Sequence, residues 1–379
     1  MFKINNKILK VEKNNLVKNK FYVKSGIRSY EVDANFSINK LKALFKNPSN
    51  YFILDNKVAC LYFKNQKKTK HNNIFFINSS EKNKNIKTAN KIIDFFIKKQ
   101  LTKINIVYAI GGGIVQDLAG YSCYVYKRGI PWVYVPTTML GITDSCVGGK
   151  VALNYKNTKN VMALFSAPRN VLICFDFLKT TSQKDFLSGL GEAFRLHITG
   201  GKKSYDFFKF NLENILKKKK NTLKQVIISS LLIKKAVVEF DEYETDIRRS
   251  MNFGHSIGHA YESVLDYKIP HGLAVALGIC LELILMRAST RISKKMINDI
   301  IITFSKFFPK KYLKLLESVE LKKINDVLQR DKKTEGKIIK IAVPVEFGNM
   351  KFLSKKLDSQ NIVDIKKSNE SLLFHLKCI

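Results

Sequence analysis

From Tyr51 to about Thr180, apolar runs of strand length alternate with stretches of helical spacing, and this alternation constrains the fold more than any other feature. YFILDNKVACLY, NNIFFINSSEKNK and INIVYAI each hold a short apolar run that ends in polar residues or meets glycines. Ile86 to Leu101 has the period of a helix. Strands separated by helices pair in parallel through crossovers, so a buried parallel sheet is expected, with ligands at the carboxyl ends of its strands. FYVKSG and YEVDANF read as an earlier strand pair, Asn39 to Lys46 as a helix, and PWVYVPTTML and NVLICFDFL as later strands. After about Thr180 helical patterns dominate, apart from a hairpin-like segment that follows Asp331-Lys332-Lys333.

At 379 residues the chain is long for one core, which favours two domains. The boundaries expected are 1–180 for the α/β part and 181–379 for the helical part. Six cysteines (Cys60, Cys123, Cys146, Cys174, Cys280, Cys378) lack any CxxC spacing, which argues against a zinc knuckle or disulfide framework and fits a reducing compartment. The N-terminus has no uninterrupted apolar core or small-residue cleavage site. The most apolar window, Gly272 to Met286, contains Glu282 and falls short of the roughly 20 residues that span a bilayer, so it reads as a buried helix. A cytoplasmic protein without a membrane segment is expected. The net charge of +35 invites a nucleic-acid reading, but the excess is nearly all lysine, spread among Asn, Ile and Phe along the chain without an RNP-like or zinc-finger motif. Its clearer use is to draw in a small phosphorylated substrate.

Several loops gather ligand-binding chemistry at the strand ends. GGGIVQDLAG, Gly111 to Gly120, follows a strand and opens a helix. It fits either a tight strand–helix turn or a backbone cradle for a pyrophosphate at a helix N-terminus. Asp117 stands one turn into that helix. Asp55 ends one strand, Glu81 and Lys84 follow another, and Thr137 and Thr138 end a third. DSCVGGK brings Asp144 and Lys150, and NTKN brings Lys159 and Asn160. In a chain so rich in lysine each of these lysines also fits a solvated surface position; their place beside Gly and Asp in loops favours phosphate.

The stretch from Met251 to Val275 holds three of the six histidines, His255, His259 and His271. His255 and His259 lie four apart in a helical pattern and so share a face. Two imidazoles on one face with a third group nearby can begin a metal site. Glu192, apolar-flanked in FLSGLGEAFRLH, is the best acidic partner, and three protein ligands with an open position is the form of catalytic zinc. Arg195 lies in the same stretch, while His197 has no clear role there. Lys234, Arg248 and Asn252 precede His255 by 21, 7 and 3 residues and offer cations and an amide to the same region.

In this order, GGGIVQDLAG, PTT, DSCVGGK, KN, GEAFR, NFGHSIGHA and HG closely resemble the 3-dehydroquinate synthase family of sugar phosphate cyclases, from about Asp55 to Lys333. The resemblance implies a Rossmann-like NAD-binding α/β domain, an all-α C-terminal domain and an active site between them. It implies NAD and a divalent metal, zinc or cobalt, and a phosphate-eliminating lyase of the shikimate pathway, which feeds aromatic amino-acid biosynthesis. By the same resemblance Glu192, His255 and His271 are the metal ligands, and His259 is a neighbouring active-site histidine. The implied NAD set is Asp55, Glu81, Lys84, Gly113, Ile114, Val115, Gln116, Asp117, Thr137, Thr138, Lys150, Lys159, Phe177, Leu178, Lys179 and Thr180. The implied substrate contacts are Asp144, Lys150, Asn160, Lys234, Arg248, Asn252, His259 and Lys332, with Arg128 supplied across a homodimer interface. Arg195 stands where the family usually has lysine, and arginine does not donate a proton near neutral pH. Leu273 replaces a usual glutamate beside a metal ligand, and Lys57 and Ser80 also depart from common patterns. These departures leave open a related cyclase with another seven-carbon or amino-substituted substrate. A metal-dependent polyol dehydrogenase is a further alternative, against which the GEAFR ligand and the Lys234/Arg248 pair argue.

Overall fold

Apolar runs with no polar alternation need cover on both faces, and those of the N-terminal half obtain it in a seven-stranded sheet. The computed structural model describes residues 1–11, 19–65, 73–156, 158–330 and 334–378. Its sheet has the order Lys20–Val23, Tyr30–Asp33, Asn170–Leu172, Trp132–Pro136, Ile106–Gly111, Asn50–Asp55, Ile74–Ile77. All pairings are parallel except that of Lys20–Val23 with Tyr30–Asp33. Every residue from Val107 to Gly111 and from Trp132 to Pro136 is buried, which marks these two strands as the centre of the sheet. The helix Gly113–Val125 leaves the carboxyl end of Ile106–Gly111 directly. A separate antiparallel pair, Lys150–Tyr155 with Thr158–Phe165, carries Lys150 and Asn160.

The chain divides into two compact units, Glu12–Thr181 and Met1–Val11 with Ser182–Ile379. The second is chiefly helical, as the sequence leads one to expect, but it is not made of helices alone. Thr334–Glu335, Ile338–Glu346, Asn349–Lys356, Phe2–Ile4 and Lys7–Leu9 form a five-stranded sheet in that order. Ile338–Glu346 buries Ile339 and Ile341 while exposing Ile338 and Lys340, the period-two pattern of a strand. The first strand of the chain pairs in parallel with Asn349–Lys356, so residues 1–11 pack here rather than with the α/β unit. Among the described residues no helix is long and apolar enough to cross a membrane.

In the helix His271–Leu285 every residue from Gly272 to Leu283 is buried. It contacts the helices Gln183–Thr199 and His255–Val264 so closely that side chains are excluded at the crossings. A Cβ on Gly191 would lie 1.9 Å from the Gly272 carbonyl oxygen, one on Gly272 1.8 Å from that of Ser188, and one on Gly278 2.0 Å from that of Gly254. Each obstacle is backbone, so no rotamer change can relieve it. Gly278→Ala should therefore lower unfolding stability by about 3 kcal/mol or more, the upper range for overpacking, measured by urea unfolding against the wild-type chain.

Candidate active site

Three helices of the second unit each contribute one group to a single cluster. Glu192 lies within Gln183–Thr199, His255 is the first residue of His255–Val264, and His271 the first of His271–Leu285. Glu192 Oε1 is 3.3 Å from His271 Nε2 and 3.6 Å from His255 Nε2. Four-coordinate zinc with bonds of about 2.0–2.1 Å has its ligand atoms about 3.3 Å apart. The separations therefore match edges of a tetrahedral site, and the donor set fits a divalent metal. His259 is exposed, and a nitrogen from each of His255, His259 and His271 lies within 4.8 Å of the other two. On distance alone three imidazoles also qualify; the carboxylate is distinguished by its burial and by having both Nε2 atoms beside one oxygen.

The far side of each imidazole fixes its orientation. His255 Nδ1 lies 3.2 Å from the Phe253 carbonyl, which only accepts, so Nδ1 carries the proton and Nε2 keeps its lone pair. His271 Nδ1 is 3.0 Å from Glu262 Oε2, so it too carries a proton. Burial holds His255 well below the ordinary imidazole range despite the charge of Glu192. Burial also opposes a charged His271, but hydrogen bonds to Glu192 and Glu262 outweigh it and raise this group to about 10. Burial likewise opposes the charge on Glu192, yet Arg195 and the two imidazoles hold its carboxyl well below the usual range.

Arg195 is buried; its Nε donates to Glu192 Oε2 at 2.8 Å and its Nη1 to Met251 Sδ at 3.5 Å. Leu273 is fully buried, and Glu262 already supplies the carboxylate that His271 needs. Asn252 Nδ2 donates to Glu244 Oε1 at 3.0 Å. Lys234 is buried on Lys220–Val238, and the buried Arg248 donates through Nη1 to the Glu242 carbonyl. This loop is folded around Asp241, whose carboxylate accepts from the backbone N–H groups of Thr245, Asp246 and Arg248 at 3.0, 2.8 and 2.9 Å. Lys332 lies outside the described residues. His197 packs in the core beside Ser204 and the Val226 carbonyl, where burial pushes it down to about 4. Glu262, Glu244 and Asp241 escaped the sequence reading. Only Glu262 left a signal, since it stands three residues after His259 and seven after His255, on one helical face.

In the α/β unit the glycine turn separates the two readings left open by its sequence. A Cβ on Gly111 would lie 2.4 Å from Val115 and one on Gly112 2.9 Å from Thr138, so both are required by packing. At Gly113, the first residue of the helix Gly113–Val125, a Cβ would meet nothing within 4 Å. Packing does not explain that glycine, and the space beside free helix N–H groups fits a pyrophosphate. Ile114 is half-buried, and Val115 and Gln116 are buried, with Gln116 Nε2 donating to the Ser145 carbonyl at 2.9 Å.

Around this turn the polar side chains form one network. Lys84 Nζ is 2.5 Å from Asp117 Oδ2 and 2.6 Å from Asn160 Oδ1. The Ala152 N–H donates to Asp117 Oδ1 at 3.1 Å, and Asn154 Nδ2 to Glu81 Oε1 at 2.8 Å. The Thr137 N–H donates to the Gly111 carbonyl at 3.0 Å, and Thr138 Oγ1 accepts from the Gly141 N–H at 3.1 Å. Asp144 sits in the single π-helical turn Gly141–Ser145, and Lys150 and Lys159 are exposed on the antiparallel pair. Other predicted members have structural partners. Asp55 caps the helix Asn56–Tyr62 by accepting from the Lys57 and Val58 N–H groups at 2.7 and 3.0 Å. Phe177 and Leu178 are buried, Lys179 pairs with Asp176 at 2.6 Å, and the hydroxyls of Thr180 and Tyr62 meet at 2.8 Å. Arg128 is exposed in the turn after Gly113–Val125.

The model of the 3-dehydroquinate synthase N-terminal domain matches residues 74–188, and that of its C-terminal domain residues 189–334. The 3-dehydroquinate synthase of Clostridium tetani (strain Massachusetts / E88) is 35% identical over 270 residues, covering 68% of this chain and 72% of that one. Among solved structures, 2-deoxy-scyllo-inosose synthase complexed with carbaglucose-6-phosphate, NAD+ and Co2+ superposes with a TM-score of 0.80 at 18% identity, covering 93% of this chain and 100% of that one. The 2-epi-5-epi-valiolone synthase from Streptomyces hygroscopicus subsp. jinggangensis 5008, with NAD+ and Zn2+ bound, superposes with a TM-score of 0.74 at 19% identity, covering 92% and 98%. At these identities the structural likenesses speak for the fold.

Burial pushes the Asp117 carboxyl up to about 6, against the pull of Lys84 and the Ala152 N–H. Its ordinary value is near 3.8, so the folded chain binds the extra proton between these values. Stability from this group is full below about pH 4 and is lost as pH rises through about 6, a swing of at most about 3 kcal/mol. The Tm of the wild type minus that of Asp117→Asn should accordingly be larger at about pH 4.5 than at about pH 7. A difference independent of pH would refute the assignment.

Proposed function

The chain belongs to the 3-dehydroquinate synthase family, and we propose that it closes 3-deoxy-arabino-heptulosonate 7-phosphate into 3-dehydroquinate with elimination of phosphate. The observation that carries this reading is the meeting of the His255 and His271 Nε2 atoms at one oxygen of the buried Glu192. These three residues would hold a divalent metal, zinc or cobalt. Glu81, Lys84, Gly113, Ile114, Val115, Gln116, Asp117, Thr137, Thr138 and Lys159 would hold NAD, with pyrophosphate in the space beside Gly113. The chemistry these bound groups supply is hydride exchange at a ring carbinol and Lewis-acid stabilisation of charge on its oxygens.

The chain's own residues orient, neutralise and shield. The Phe253 carbonyl and Glu262 hold protons on Nδ1 of His255 and His271, so Nε2 of each ring would meet a metal, and His271, raised to about 10 by its two carboxylates, would give up its Nε2 proton to bind it. Lys150, Asn160 and Lys332 bind the substrate phosphate, and Asp144 orients the chain being closed. Lys234 and Arg248 neutralise the substrate carboxylate, where a guanidinium suits bidentate contact. Arg248 then has to turn from the Glu242 carbonyl, and Asn252 from Glu244. His259, exposed beside the metal ligands, is placed to relay a proton at a substrate oxygen. Arg195 acts through Glu192: it keeps that carboxylate ionised and leaves Oε1 for the metal. Asp55, Phe177, Leu178, Lys179 and Thr180 line the nucleotide side through the backbone they shape. The same reading makes the protein a cytoplasmic homodimer, with the exposed Arg128 reaching a neighbouring subunit's substrate.

The test is incubation with 3-deoxy-arabino-heptulosonate 7-phosphate, NAD and zinc or cobalt. Phosphate and 3-dehydroquinate should appear without net NADH, because the hydride is returned. No phosphate release by the wild type, or NADH accumulation with a simple polyol instead, overturns the reading. Glu192→Gln and His271→Ala should each weaken metal binding and turnover by more than about a hundredfold, beyond the effect of losing an outer partner, as read by metal content and phosphate release.

A further inference from the structure

Glu282 is the twelfth of the fifteen residues of the apolar helix His271–Leu285, within the run Gly272 to Leu283 that is buried throughout. A buried carboxylate is tolerated only where hydrogen bonds or opposite charge meet it. Glu282 Oε2 accepts from the Gly254 N–H at 2.7 Å and Oε1 from the Ile257 N–H at 3.2 Å. These donors flank the start of His255–Val264, whose first N–H groups have no partner within their own helix.

That helix cannot cap itself. Its cap position is Gly254, at φ +78°, and a Cβ there would lie 2.5 Å from both Ile279 and the Val275 carbonyl oxygen. A serine or aspartate is excluded by contact with the neighbouring helix, and that helix supplies the acceptor instead. The helix so anchored carries His255 at its first position, His259 one turn on, and Glu262, which holds His271. Glu282 thus grips the backbone on either side of His255 from the helix that begins with His271.

We propose that Glu282 is a positioning residue for the metal centre, fixing the start of His255–Val264 so that His255 Nε2 meets Glu192 Oε1. A carboxylate serves better than a neutral acceptor because both its oxygens accept and its charge opposes the positive end of the helix. The inference rests on the reading of His255 as a metal ligand, and the experiment separates the two.

Glu282→Gln keeps the shape but turns one acceptor into a donor facing an N–H group. Affinity for Co2+, measured by competition with a chelator and followed by visible absorption of the bound ion, should fall about tenfold to a hundredfold, with an altered spectrum. Leu316→Ala, a core truncation in the helix Leu313–Glu317, controls for lost stability and should keep wild-type affinity and spectrum. Equal affinity of Glu282→Gln and wild type, or an equal loss in both variants, overturns the proposal. A wild-type protein that does not bind Co2+ overturns the metal reading and this inference with it. Should Glu282→Gln fail to fold, Glu282→Asp, which keeps the charge but withdraws it by one methylene, is read by the same criteria.

Discussion

Backbone-to-backbone contact among three helices is the constraint on which the helical unit of this protein depends. Glu192, His255 and His271 belong to different helices, and the two Nε2 atoms come within 3.3 to 3.6 Å of Glu192 Oε1 only because those helices touch without intervening side chains. Gly191 and Gly272 make one crossing possible, and Gly254 and Gly278 the other. Interiors are packed as densely as organic crystals, so a methyl group at such a crossing displaces a whole element. The positions of Glu192 Oε1 and the two Nε2 atoms are set by residues that carry no side chain.

Close packing also creates an electrostatic problem, which the structure answers with paired groups. Gly254, Ser256 and Ile257 at the start of His255–Val264 are buried, and Glu282 accepts the N–H groups of Gly254 and Ile257. Glu192 is buried too, and Arg195 balances its charge from one turn along the same helix. The guanidinium at that position reaches both the Glu192 carboxylate and the Met251 sulfur. The absence of a carboxylate at Leu273 is offset by Glu262, which holds the far nitrogen of His271. Neither departure disturbs the convergence of Glu192, His255 and His271.

The α/β unit meets a different demand, a tight turn from its central strand into a helix. Two of the glycines after the central strand are consumed by packing against Val115 and Thr138, and Gly113 is left facing open space at a helix N-terminus. The network of Lys84, Asp117, Asn160 and Ala152 ties this turn to the antiparallel pair that carries Lys150. Burial of Asp117 makes its proton affinity sensitive to this network.

Local periodicity and motif order were enough to reveal the parallel sheet, the glycine turn, the helical second half and the family. Those features repeat over short spans, as strand runs, helical spacings and residues adjacent in the chain. The four-residue spacing of His255 and His259 identified a shared helical face but could not say which imidazole meets Glu192, because His271 begins another helix. Glu262 was legible as a neighbour on the histidine face, though its bond to His271 was not. Tertiary structure alone decided that residues 1–11 join a sheet more than 300 positions away, that Asp55 caps a helix and that Arg248 rests on the Glu242 carbonyl. It alone gave Glu282 a function beyond interrupting an apolar run. The physical reason is common to all of these: hydrogen bonds and close contacts between segments distant in the chain depend on how helices and strands pack, and no periodicity encodes the partner.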